Sequence, residues 1–414
     1  MRYVLIPLLL FLPGLVVAQE RLTLATALET AQAQNESREL TEQRVERARA
    51  LKREMLASML PNLTVGAGGT YNGVAVELNG RSIVQQFDWG ADATASVTVF
   101  DGSLYPLYRA SSRSLEATAQ DAEWTLHLLN FEVEQSFFAL AAAERQLQIA
   151  ERALELRKAY TDRALALAEQ GIALQLDASR ARAQQLDAEQ AVLEATASLG
   201  NASDALGVLL GTTEGEEFRS DVSTQKRPQP PQAPAQAGRA DIRADLKRIE
   251  GIELRESAVW WGLLPSIELS ANSRFGPSSL SNPDGFVWSV SLDATWLLYD
   301  GGARYARAAG IAAEAEEARL MLSQTRRQVG AEARRTVRDW ATAHQAIDVA
   351  TKKLEVAQAT YDMVLGRYDA GLATSIEVTQ ASEDLYLAEL NLNAAELAAD
   401  LAESQYRFVI GVSE

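Results

Sequence analysis

The side chains that could carry catalysis or hold a metal are few. Of 414 residues, two are histidine and none is cysteine. His127 lies in the apolar run "WTLHLLNF", and His344 falls in a series of three- and four-residue steps from Val337 to Tyr368. At both positions a hydrogen-bonded packing histidine is a commoner occupant than a metal ligand. No Walker-type glycine loop, no GxSxG elbow and no HExxH pair occurs. The acids are spread along helical faces as solvated charges. The sequence therefore offers no catalytic residue, metal site or cofactor site, and an enzyme is not expected. Two acids stand out by position alone. Asp177 in "AEQGIALQLDA" and Glu377 in "YDAGLATSIEV" each follow a glycine, Gly171 or Gly371, by six residues.

Those two stretches belong to an internal repeat, which fixes the architecture before any other feature is weighed. "MLPNLTVGAG" (Met59 to Gly68) is answered by "LLPSIELSAN" (Leu263 to Asn272), and "VTVFDGSLYPLYRA" (Val97 to Ala110) by "TWLLYDGGARYARA" (Thr295 to Ala308). "LGVLLG", ending at Gly211, is answered by "YRFVIG", ending at Gly411. Residues 19–211 form the first copy and 240–414 the second. The proline-rich, polar stretch 212–239 between them cannot continue a helix and offers nothing to bury, so it reads as a linker. Residues 1–18 carry Arg2, a short apolar run and Ala18 before a cleavage point, the pattern of a secretory signal peptide. A transmembrane anchor is the other reading of that run, disfavoured by its shortness and its two prolines.

The net charge is −17. With no basic stripe to neutralise phosphates, nucleic acid is not a partner. Each copy carries two alternating segments, at about 63–76 and 86–100 in the first and about 266–276 and 286–299 in the second. Phe286, Trp288, Val290, Leu292, Ala294, Trp296 and Leu298 share one face of the last segment. Phe87, Trp89, Ala91, Ala93, Ala95, Val97 and Val99 share one face of its counterpart. Period-two alternation of this length predicts four strands in two hairpins. Alternation alone fits a half-buried sheet under helices equally well. Tryptophans near the strand ends, and aspartates on the opposite face, favour lipid on one side and water on the other. Trp89, Trp288, Val290, Leu292 and Trp296 are then lipid-facing. An open sheet edge in hydrocarbon leaves backbone groups unsatisfied, so the sheet must close, and four strands are too few for one chain to close it. On that reading the barrel is shared between subunits.

The remainder is helical. Stretches 103–170 and 302–370 are dominated by strong helix formers, and 172–210 and 372–410 return from the glycines, making two antiparallel helical hairpins. Gly171 and Gly371 suit the left-handed position just past a helix C-terminus.

Together, the duplicated "LP" stop, the strands ending in "FDG" and "YDGG", and the tips built as glycine followed by an acid make the chain resemble the TolC-like outer membrane factors. The resemblance covers nearly the whole mature chain. It implies a mostly α fold with a small membrane β-hairpin pair per chain, in a homotrimer whose twelve strands form a β-barrel and whose long helices form a periplasmic α-barrel. It implies a channel in the outer membrane of a Gram-negative cell, contacting lipid there and extending into the periplasm. Its partners would be a periplasmic adaptor protein and an inner-membrane pump or ABC exporter. The duct would serve a tripartite efflux pump or type I secretion system without a cofactor. The resemblance also implies a gate at the helix tips. Asp177 matches an acid there, Tyr368 a tyrosine that bonds to it, and Glu377 a pore-constricting aspartate, while Gly171 and Gly371 mark where an adaptor would pack. Two positions depart from the pattern: Ala373 replaces an arginine, and Gln380 replaces a second aspartate. A soluble periplasmic coiled-coil scaffold is the alternative, and it requires Trp288 and Trp296 to be buried against the chain's own helices.

Overall fold

The computed structural model describes residues 21–74, 76–78, 81–84, 86–171, 174–212, 217–221, 228–231, 238–276 and 285–412. The expected signal peptide, most of the expected linker and residues 277–284 lie outside these residues. Helices dominate, and the chain divides into two compact units that each draw on both repeats.

One unit, built from residues 39–125 and 237–331, holds the sheet. Its main strands are β1 (Asn62–Tyr71), β4 (Phe87–Phe100), β5 (Ser266–Phe275) and β6 (Phe286–Thr295), antiparallel in the order β1-β4-β5-β6. The first hairpin also carries a small ribbon of β2 (Val76–Leu78) and β3 (Arg81–Val84). The first strand thus stops short of residue 76, to which the alternating pattern extends. β6 ends four residues before the end of its own pattern. Ser266 pairs with Thr295 as the last rung, and Pro265 before it has no N–H to extend the ladder. The chain beyond is tied down differently: Trp296 Nε1 donates to the Leu263 carbonyl at 2.9 Å, and the Arg304 guanidinium donates to the Leu297 carbonyl.

The Asp-Gly turns that follow the strands are helix caps. Asp101 Oδ1 accepts from the Ser103 N–H at 2.8 Å. Asp300 accepts from the N–H groups of Gly302 at 3.1 Å and Arg304 at 3.0 Å. A carboxylate there satisfies amides that the helix start leaves orphaned. Gly102 is required by space, since a Cβ on it would come within 2.4 Å of the Trp261 carbonyl. The first parts of α3 (Leu104–Glu169) and α6 (Ala303–Asp369) flank α5 (Ala240–Trp261). Arg243 and Arg248 of α5 pair with Glu123 and Asp121 of α3, while Glu253 and Arg255 of α5 pair with Arg319 and Glu314 of α6. α2 (Glu36–Ala57) is charged and buries only Thr41.

The other unit contains the rest of α3 and α6, the returning helices α4 (Gln175–Leu210) and α7 (Ser375–Ile410), and α1 (Leu24–Gln34). Its main cluster joins Ala27 and Ala31 of α1 to Val133, Phe137 and Leu140 of α3 and Leu199, Leu206 and Leu210 of α4. On α6 the expected seam faces inward: Val337, Trp340 and Tyr361 are buried, His344, Ile347, Leu354, Gln358, Leu365 and Tyr368 are half-buried, and only Thr351 is exposed. His344 differs from the expected hydrogen-bonded packing residue. Its Nδ1 is buried and finds no hydrogen-bond partner among the described residues.

The stretch between the repeats also departs from a bare linker. Asp221 N–H donates to Leu22 O and Leu22 N–H to Arg219 O, both at 2.8 Å. Ser220 donates through its N–H and hydroxyl to the Glu144 carboxylate at 2.9 and 2.7 Å. Phe218 packs against the main cluster. Polarity over the whole stretch hid the one aromatic side chain that pins it.

Candidate functional site

Two regions carry the residues that the sequence singled out. The first is the pair of helix tips. Gly171 and Gly371 both adopt φ +71°, with open space where a Cβ would go, so backbone conformation and not crowding selects glycine. At the second tip the Gly371 N–H donates to Tyr368 O at 2.9 Å and the Leu372 N–H to Arg367 O at 2.8 Å, which closes the last turn of α6. At the first tip the Gly171 N–H donates to Ala168 O at 3.0 Å.

The returning helices start differently. α7 opens with a reciprocal cap: the Glu377 N–H donates to Thr374 Oγ1 at 3.3 Å, and Glu377 Oε2 accepts from the Thr374 N–H at 2.6 Å and hydroxyl at 2.9 Å. Those bonds to Thr374, backbone first, hold the Glu377 carboxyl below the usual carboxylate range. α4 opens at Leu174, which has no side chain able to cap. Asp177 sits in its first turn, where negative charge suits the helix dipole, and lies 3.8 Å from Arg180. "TSIE" at Thr374 to Glu377 is a capping-box signature legible in the sequence, one that spacing from the glycine alone does not bring out.

Within the chain, Tyr160 ties the two hairpins together. Its hydroxyl donates to Ser375 Oγ at 2.9 Å, and its ring meets the Tyr368 ring edge-on at 5.5 Å. Burial pushes the Tyr160 phenol up, so it stays neutral. Ala164, Ala181 and Val378 complete this cluster. Arg163 Nη1 pairs with Asp369 at 2.8 Å, and Thr379 Oγ1 bonds Gln184 Oε1 at 3.1 Å. Tyr368 is thus placed against Tyr160, and Asp177 against Arg180. Gln380 is exposed. Tyr160, Arg163 and Ser375 were missed in the sequence because each acts across the repeat boundary, where no local spacing betrays it.

The second region is the sheet. Its pairing register aligns one continuous apolar face: Leu63 opposite Ala95, Val97 opposite Leu269, Leu269 opposite Leu292, Ala271 opposite Val290, Phe275 opposite Phe286. Trp89 and Phe275 meet edge-on at 5.7 Å. This face is uncovered among the described residues. Trp288 is 68% exposed and Trp296 62%, and Val290 and Leu292 are exposed beside them. The opposite face is polar and cross-bonded, with the Thr94 hydroxyl donating to Asn272 Oδ1 at 2.8 Å and Ser270 and Ser291 sharing a bond of 2.8 Å. β1 and β6 are edge strands with no further strand pairing among the described residues.

Chemically, neither region assembles a nucleophile with a base, and no group of three His, Asp or Glu lies together among the described residues as a metal site would need. Among those residues, no helix is long and apolar enough to cross a membrane.

A family profile described as "Outer membrane efflux protein" matches residues 20–212 and 235–412. No curated protein sequence matches the chain. Among solved structures, CusC is similar at 20% identity and TM-score 0.83, over 94% of this chain and 92% of that one. The outer membrane channel CmeC of Campylobacter jejuni gives 18% identity and TM-score 0.82, over 94% and 85%. The outer membrane protein VceC of Vibrio cholerae gives 18% and 0.80, over 94% and 96%. At these identities the likeness is one of fold, and it covers the duplicated helices and the four-stranded sheet together.

Proposed function

The chain belongs to the outer membrane efflux protein family, and from that premise we propose that it is the passive exit duct of a tripartite efflux pump or type I secretion system. It works in the outer membrane with its helical part in the periplasm. The observation that carries this reading is the sheet: a contiguous exposed apolar face with tryptophans, a polar reverse face and two edges left unpaired among the described residues. Free edges in hydrocarbon cost several kcal/mol per unsatisfied group, whereas three copies supply twelve strands and close a barrel with its polar face inward. The soluble-scaffold alternative needs Trp288 and Trp296 covered by the chain's own helices, and both are exposed.

The gate in this reading is the tip cluster. Glu377, repeated in three copies, puts a ring of one carboxylate per subunit around a narrow opening that favours cations, with Asp177 beside it in the lock between neighbouring helices. Tyr368 and Gln380 border it, and the turns at Gly171 and Gly371 receive the adaptor's helices. Opening separates the tips, so no bond is made or broken in a transported molecule and no nucleotide is used by this chain. Fractionation with cross-linking and sizing in detergent tests the reading. An outer-membrane trimer is expected, and a stable monomer in the soluble fraction would overturn it.

A further inference from the structure

The first part of α6 carries an arginine cluster that neither the sheet nor the tips employ. Arg319, Arg326 and Arg327 surround Leu322 and Ser323 in a cleft of about 420 Å³, all within the sheet-bearing unit. The chain is acidic, at −17 overall, and arginines on the neighbouring helix α5 are ion-paired, Arg243, Arg248 and Arg255 among them. In the cleft, Arg319 keeps Glu253 and Glu316. Arg327 Nη1 donates to Ser323 Oγ at 2.9 Å. Neither Arg327 nor the exposed Arg326 has an ion pair among the described residues. Two uncompensated guanidinium groups therefore line one opening, and the planar fork of arginine matches a carboxylate or phosphate with two parallel hydrogen bonds.

Strand chirality fixes which way the cleft faces. The Gly276 N–H donates to Gly285 O at 2.9 Å, so Phe275 and Phe286, one step on, are a non-hydrogen-bonded pair. The other apolar rungs of that hairpin, Ala271 with Val290 and Leu269 with Leu292, share this parity. For L-residues such rungs turn their Cα–H groups toward each other, which puts β5 to the right of β6 when the apolar face is toward the viewer and the helices hang below. α5 lies to the right of α6 in the same view. The buried stripe Ala308, Ala315, Leu322 and Val329 is α6's side toward α5, flanked by Glu314 and Arg319, which pair with Arg255 and Glu253. α6 descends and is right-handed, so Ser323, a little over a quarter turn past Leu322, points at the viewer and away from the barrel axis. The lumen-facing stripe beside it carries Glu314, Glu317, Gln324 and Gln328.

Distance selects among anions. Ser323 lies twenty residues beyond Ala303, the first residue of α6, or about 30 Å along the helix. A headgroup layer is only about 5–8 Å deep on each side of the bilayer, so lipid phosphates are out of reach. In the periplasm outside the duct, the extended anion is the cell wall, whose peptide stems carry free carboxylates. We propose that this cleft binds carboxylates of the cell-wall peptides and so fastens the outside of the duct to the wall. The proposal rests on the outer-membrane barrel reading and adds to it a partner outside the pump.

The full-length protein in detergent should co-sediment with purified peptidoglycan sacculi at low salt. Arg326→Glu/Arg327→Glu should lower the bound fraction at least tenfold. Lys352→Glu/Lys353→Glu makes the same change of charge at exposed positions elsewhere on α6 and should bind like the wild type. Sacculi whose carboxylates have been amidated should not sediment the wild type. Equal loss in both double variants, wild-type binding by R326E/R327E, or binding undiminished by amidation would overturn the site. Capture of the wild type but not R326E/R327E by phosphatidylglycerol nanodiscs in place of sacculi would also overturn it, in favour of a lipid. Sizing of the same samples separates the two claims: a trimer that ignores sacculi removes only this site, whereas a monomer removes the barrel reading beneath it.

Discussion

The two tips differ in one replaceable device, the side-chain cap on the returning helix. Thr374→Ala removes the hydroxyl that accepts from the Glu377 N–H at 3.3 Å and donates to its carboxylate at 2.9 Å. An N-cap loss of this kind costs about 1 kcal/mol. Since about 1.4 kcal/mol is tenfold in an equilibrium, fraying of the first turn of α7 should become about fivefold more populated. The opposite change is available at Leu174, where no side chain caps α4. Leu174→Ser supplies an acceptor for the Asp177 N–H and should slow fraying there by a similar factor. Peptide-resolved hydrogen–deuterium exchange on the detergent-solubilised protein reads both. Uptake over 375–378 should quicken about fivefold in T374A while the rest of α7 is unchanged, and uptake over 175–178 should slow in L174S. Packing is the competing cause: Ser375 and Val378 are both buried, and their contacts alone could hold the turn. Unchanged exchange in T374A, or faster exchange in L174S, would refute the capping argument in favour of packing.

Acid should act through the same cap. A carboxyl held below its ordinary value contributes stability above that value and loses it as pH falls through the lowered one. Fluorescence anisotropy of a probe on Leu372→Cys should therefore drop only below pH 4.5, the ordinary glutamate value, and show no such step in a background carrying Glu377→Ala. Tyr160→Phe leaves the buried Ser375 hydroxyl without its donor and should cost about 1–3 kcal/mol. Arg163→Ala removes a half-exposed pair worth under about 1 kcal/mol. Denaturant titration should rank Y160F as the more destabilised, and the reverse order would shift the tip's cohesion to the ion pair. Phe137→Ala, at 1% exposure in the main cluster, should cost about 3–5 kcal/mol in the same assay; a loss below about 1 kcal/mol would mean that α1 does not seal the cluster.

Much of the fold was legible because its signals are periodic and doubled. Alternation from Phe286 onward marked a strand, and the glycines at 171 and 371 marked both tips. What escaped was set by partners distant in sequence. β6 stops at Thr295 because Pro265 on its neighbour ends the ladder, which no pattern inside β6 reveals. The β2–β3 ribbon is too short to show a period. At the tips, Asp177 and Glu377 were visible as acids at equal distances from glycine, but the capping role of Glu377 depends on Thr374. The tie from Tyr160 to Ser375 spans more than two hundred residues.

A passive duct closed at its helix tips is tested most directly by single-channel conductance in planar lipid bilayers, comparing the wild-type protein with Asp177→Ala/Glu377→Ala. The account predicts discrete cation-favouring channels of low conductance for the wild type and a clear rise in conductance for the double variant. Conductance unchanged by the double substitution would remove these carboxylates from the gate. Failure of the intact protein to form channels at all would contradict the duct itself.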